Sequence, residues 1–129
     1  VAALERIDTA MPLAERLIAV VRIVQAWLTT VITLMMALRG GRRGRSPHPR
    51  RKHSSDVIAA AITRLIEPDR RSLTVPPAQA ARLLRLLLFS GSHPGIAEGR
   101  LLTPEEIVAV ILDGVRAHDS APLGGQARC

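Results

Sequence analysis

The chain has 129 residues, with 18 Lys or Arg against 11 Asp or Glu, a net charge of +7, and a composition that is 47% hydrophobic but only 2% aromatic. That length suffices for one domain, residues 1–129, burying roughly two thirds of the surface its unfolded chain exposes without disulfide or metal staples. Its one cysteine, Cys129, excludes an intrachain disulfide, and Trp27 and Phe89 are too few aromatics for the stacking platforms of a single-strand nucleic-acid binder.

Alternation of apolar and polar residues is absent over any useful length, whereas apolar spacings of three and four recur throughout, so the chain reads as all-α. Val1 to Asp8 reads as the tail of a helix with Ala3, Leu4 and Ile7 on one side, and Pro12 suits a first-turn position. The longest helix is expected from Leu13 to Leu38. Its buried stripe is Leu13, Leu17, Val20, Val21, Val24, Trp27, Leu28, Val31, Ile32, Met35 and Leu38, with Glu15, Arg16, Arg22, Gln25 and Thr29 off it. Gly40 and Gly41 stop it.

Arg39 to Lys52 follows with seven positive charges and no negative one, which accounts for the whole net charge. With Gly44, Pro47 and Pro49 interrupting it, the stretch at 39–53 reads as a flexible basic loop without regular helix. Order is expected to return at Ser54 or Ser55 as an N-cap, with Asp56 in the first turn and Ile58, Ala61, Ile62 and Leu65 on one stripe, up to Pro68. Pro76-Pro77 opens the next helix, Ala78 to Phe89, in which Leu83, Leu84, Leu86, Leu87 and Leu88 cover most of the circumference. A helix so apolar needs partners on more than one side.

Gly91 to Leu102 reads as a loop, and Thr103-Pro104-Glu105-Glu106 as a capping box: threonine at the cap, proline at the first helical position, glutamate three residues after the cap. The last helix is expected to reach about Ala117, with Ile107, Val108, Ile111, Leu112 and Val115 as its apolar face, and Gly114 reads as a place where another backbone approaches. Residues 119–129 have the composition of a frayed tail.

The stretch from Leu83 to Val115 resembles the end of the TetR/AcrR family of bacterial one-component transcriptional regulators. The resemblance is carried by the leucine-rich helix, Ser92-His93-Pro94, the helix start from Leu102 to Val108, and Leu112-Asp113-Gly114-Val115. The long apolar helix and the Arg/Pro/His loop upstream look like actinobacterial members of the same family. This likeness implies a TetR C-terminal-like bundle of about five helices that senses an effector and dimerises, while a helix-turn-helix domain ahead of Val1 reads operator DNA. Its two last helices would form a four-helix interface with those of a second copy, through Leu83, Leu84, Leu87, Leu88, Ile107, Ile111, Leu112 and Val115. The family's effector pocket lies upstream of that interface. Here it falls among Trp27, Thr30, Val31, Leu34 and Met35, with Ile58 and Ile62 facing them, and would hold a small hydrophobic effector.

No nucleophile elbow, paired-acid arrangement or phosphate-cradling loop is present, so neither an enzyme nor a cofactor is expected. The four histidines, His48, His53, His93 and His118, are too scattered for a metal motif. No cleavable leader is visible, and the expectation is a cytoplasmic homodimer without a membrane partner. Two rivals come from other classes. Leu17 to Leu38 followed by the polybasic arm fits a single membrane span, against which stand Arg22 and Gln25 within it. A ligand-free helical dimerisation module is the other.

Overall fold

The computed structural model describes residues 2–39, 49–115 and 117, with the backbone alone at 49–54. The expected mobility of residues 40–48, the roles of His48, His53 and His118, and the tail with Cys129 lie outside the described residues. What is described is mostly helical and contains no strand. Its elements are α1 (Ala2–Glu5), α2 (Leu13–Arg39), α3 (Pro49–Ile66), a 3-10 turn (Glu67–Ser72), α4 (Pro77–Ser92) and α5 (Pro104–Val115).

Buried apolar residues from all five helices form one cluster that includes Leu4, Val20, Val21, Ile62, Leu65, Leu84, Leu88 and Ile107. Helix α4 is central, packed against α2, α3 and α5, while α2 runs along α5 and α1 rests on α2 and α3. This arrangement gives the leucine-rich helix its several partners. Burial of its Leu84 and Leu88 stabilises the fold by about 2 kcal/mol each by the usual area scaling.

Helix α3 begins at Pro49, earlier than the sequence reading places it, so the C-terminal part of the basic stretch is helical and Ser55 sits inside the helix rather than at its cap. The reason is local. Proline is at ease in the first turn, where its missing N–H has no partner to lose, and no glycine or further proline interrupts the chain before Pro68.

The buried stripe of α2 stops at Leu28. Trp27 is 48% exposed, Met35 and Leu38 are exposed, and Val31 and Ile32 are half-buried, which corrects their assignment to the core. Past Leu28 the helix runs beyond the close packing that buries its first four turns. Arg16, expected outside the stripe, is instead only 3% exposed. Its Nη1 donates to Leu65 O at 2.6 Å and to Asp69 Oδ2 at 2.8 Å, and its Nη2 to Met11 O at 2.7 Å. One guanidinium fork thus ties the entry of α2 to the end of α3 and the turn after it.

The capping box at α5 forms in both directions: Glu106 N donates to Thr103 Oγ1 and Thr103 N to Glu106 Oε2, each at 3.1 Å. Helix α5 ends at Val115, short of Ala117, because the Val115 carbonyl accepts from Thr74 N at 2.7 Å and from Thr74 Oγ1 at 3.0 Å, while Ala117 N donates to Ser72 O. These bonds clasp the end of α5 to the segment that leads into α4.

Candidate functional site

Two apolar depressions flank α4. The first is a cavity of about 720 Å³ between the second half of α2, the first half of α3 and the end of α4. Helix α2 contributes Trp27, Leu28, Val31, Ile32 and Met35, α3 contributes Ser55 and Ile58, α4 contributes Leu86, Phe89 and Ser90, and His93 and Ile96 close it from the following loop. It opens past Leu28, where the buried stripe of α2 ends, along an arc of side chains centred between Val31 and Ile32. A cavity of this size and lining is in the range that holds small organic ligands.

Of the residues implicated by family resemblance, Trp27, Val31, Met35 and Ile58 line this cavity. Thr30 and Leu34 are exposed and lie outside it, past the edge of that arc by the 100° helical step. Ile62 is fully buried and is a core residue, one turn further into the bundle than Ile58. The sequence reading missed Leu28, Ile32, Ser55, Leu86 and Ser90 as walls, and also Phe89, His93 and Ile96, which lie far along the chain and which only the packing of α4 against α2 brings in.

The loop that closes the cavity is fixed from α2. Gln25 Nε2 donates to Ser92 Oγ at 3.1 Å and to Leu102 O at 2.8 Å, and Arg22 Nη2 pairs with Glu105 Oε1 at 2.5 Å. Glu105 stands at the start of α5, where its own backbone N–H and then the Arg22 guanidinium hold its carboxyl below the ordinary value of 4.5. Glu98 and Gly99 take positive φ angles of 53° and 80°, and this left-handed pair turns the loop back toward α5. His93 Nδ1 accepts from Gly95 N at 3.1 Å, which orients the ring.

The second depression is an open groove of about 630 Å³ between α4 and α5, lined by Leu83, Leu86, Leu87 and Ser90 on one side and Val110, Ile111, Gly114 and Val115 on the other. Here the expected dimer surface needs correction. Leu84, Leu88 and Ile107 are completely buried and Leu112 is 5% exposed, so these four are the chain's own core and present nothing to a second copy. An all-round apolar helix does not reveal which of its faces its own bundle covers. Leu83 and Leu87 remain at the groove, with Ile111 and Val115, themselves buried, at its floor, and Leu86 at 54% and Val110 at 60% exposure join them. A Cβ at Gly114 would meet nothing within 4 Å, so no neighbour among the described residues explains that glycine.

Among the described residues, no group of three or more His, Cys, Asp or Glu is placed to hold a metal ion. Leu86 and Ser90 line both depressions, so a single turn of α4 separates the ligand-sized cavity from the apolar groove. No family model matches this sequence, and neither a curated protein nor a solved structure matches it.

Proposed function

We propose that this chain is the effector-sensing and dimerising part of a TetR-like transcriptional regulator. The observation that carries the reading is the shared turn of α4. An apolar cavity for a small effector and an apolar groove for a twin subunit meet across Leu86 and Ser90. A ligand that fills the cavity contacts the same side chains that shape the groove, so it favours one packing of α4 and with it one arrangement of the dimer. Operator DNA would be contacted only through a reader domain attached ahead of α1. The resemblance of Leu83 to Val115 to the family's closing helices points the same way.

The test is a ligand panel of apolar and amphipathic small molecules. Binding is followed by the emission of Trp27, the chain's one tryptophan, which lines the cavity. Because coupling is reciprocal, a compound that perturbs Trp27 must also change the dimer dissociation constant measured by sedimentation. Saturation of the cavity with no change in dimerisation would remove the sensor mechanism and leave a plain dimerisation module.

A second reading has its own observation. Among the described residues, α2 is the one helix long and apolar enough to cross a membrane, with a mean hydropathy of 1.9 over its best window. A spanning role would require stripping α2 from α4 and α5 and exposing Val20, Val21 and Val24, all of which are buried in the cluster. Expression without detergent separates the two: a chain recovered only with the membrane fraction favours the span.

A further inference from the structure

We infer that the cavity between α2, α3 and α4 selects an amphipathic ligand with an anionic head, a monocarboxylate on an apolar body, whose head is read by Ser55 backed by Arg85. The inference rests on the effector-site reading of that cavity and adds its chemical selectivity.

The argument begins with what the walls can donate and accept. Three of the lining residues are polar: Ser55, Ser90 and His93. Ser90 gives its hydroxyl proton back to its own helix, at 2.9 Å from Leu86 O and 3.1 Å from Leu87 O, as Thr29, Thr30, Thr33 and Thr63 do toward the carbonyl one turn before them. Ser55 differs. Its Oγ accepts a hydrogen bond from Arg85 Nη2 at 2.8 Å, a contact that reaches from α4 to α3. An oxygen that accepts from a guanidinium turns its own proton toward an acceptor, and the positive charge behind it strengthens that donation. His93 points the same way, because with Nδ1 accepting from Gly95 N the neutral ring carries its proton on Nε2. Two of the three polar walls therefore offer donors.

Charge agrees with hydrogen bonding. Among the described residues no Asp or Glu lines the cavity, so a cationic head would find only the aromatic faces of Trp27 and Phe89 and no carboxylate to pair with. Arg85 is half-buried, and among the described residues it has no ion-pair partner and its buried Nε no hydrogen-bond partner. Arg85 does not line the cavity itself, so its positive charge acts on a ligand anion from behind Ser55. The rest of the lining, from Trp27 and Val31 to Ile58 and Phe89, is apolar and takes the body of the ligand.

The test compares three probes of one chain length, decanoate, decanol and decyltrimethylammonium, each below its micelle concentration, at pH 7.5 with Trp27 emission as the local readout. Decanoate is expected to bind about tenfold more tightly than decanol, the order of effect of one charge-assisted hydrogen bond, and decyltrimethylammonium more weakly than either. Arg85→Gln should bring decanoate to the level of decanol while leaving decanol unchanged. Ser55→Ala should do the same, and it keeps the test decisive if the Arg85 variant loses its helical circular dichroism. Equal binding of decanol and decanoate, or a preference that survives both substitutions, overturns the anion assignment while the filled cavity keeps the sensor reading. Silence of Trp27 toward all three probes overturns the assignment, and the sensor reading then stands or falls on the wider panel and its effect on dimerisation.

Discussion

Arg16 is the residue on which the junction of α2 and α3 turns. Its fork satisfies two backbone carbonyls and Asp69, and its side chain is nearly sealed from solvent. Replacing it as Arg16→Met keeps much of the packing but strands Leu65 O and Asp69, so stability measured by urea unfolding should fall by about 2–4 kcal/mol, the lower part of that range reflecting the partial exposure of Asp69. The role of Arg16 was illegible in the sequence, since Leu65 and Asp69 are 49 and 53 residues away and helical periodicity classes an arginine as solvent-facing. By contrast the Thr103–Glu106 box was fully legible, because both partners lie within one turn. Glu105 next to it gives a pH prediction. Its carboxyl is held below 4.5 in the folded chain, so the stabilisation it supplies is complete above that value and is lost as pH falls through the depressed one. In Arg22→Gln the Glu105 titration midpoint followed by NMR should rise yet stay below 4.5, because the backbone N–H is the larger cause; a full return to 4.5 would contradict this.

At the scale of elements, two glycines in α4 and α5 separate internal packing from external packing. A Cβ at Gly91 would stand 2.7 Å from Leu102 Cδ1, and Leu102 N already donates to Gly91 O, so the loop lies flat against the end of α4. Gly91→Ala should therefore lower stability by about 1 kcal/mol net, overpacking outweighing alanine's better helix propensity. Gly114→Ala meets none of the described residues and should raise the stability of the isolated subunit by about 0.5 kcal/mol. If a twin helix crosses at that point, the same change weakens the dimer, which dilution experiments will show as a raised dissociation constant. The order and type of the main elements were readable from apolar spacing and from Pro104, Gly40 and Pro76-Pro77. The start of α3 was not: prolines and like charges marked the basic stretch as irregular, yet a proline in the first turn is compatible with helix.

The whole molecule is a bundle whose central helix separates two apolar openings. The sequence announced that α4 needs several partners, and the buried cluster supplies three of them from within the chain. Which leucines remain for a second copy was beyond its reach, since Leu84 and Leu88 read no differently from Leu83 and Leu87 until the bundle is assembled. The cavity shows the same limit. Trp27, Val31, Met35 and Ile58 stand on its walls, but its floor from Phe89 to Ile96 depends on long-range packing. Among the described residues Leu83, Leu86 and Val110 form one apolar face at the groove, and under the proposed reading an isologous twin would cover it with the same face in return.

Sedimentation equilibrium of the wild-type chain and of Val110→Glu tests this most directly. Val110 is exposed in the single chain, so the glutamate leaves the subunit folded but places an unpaired charge in a covered interface. The account predicts a wild-type species of twice 13.9 kDa at micromolar concentration and a folded 13.9 kDa subunit for the variant, with at least about a tenfold rise in dissociation constant. A wild-type chain that remains a folded 13.9 kDa subunit at all concentrations, or a variant that associates as tightly as the wild type, would contradict it.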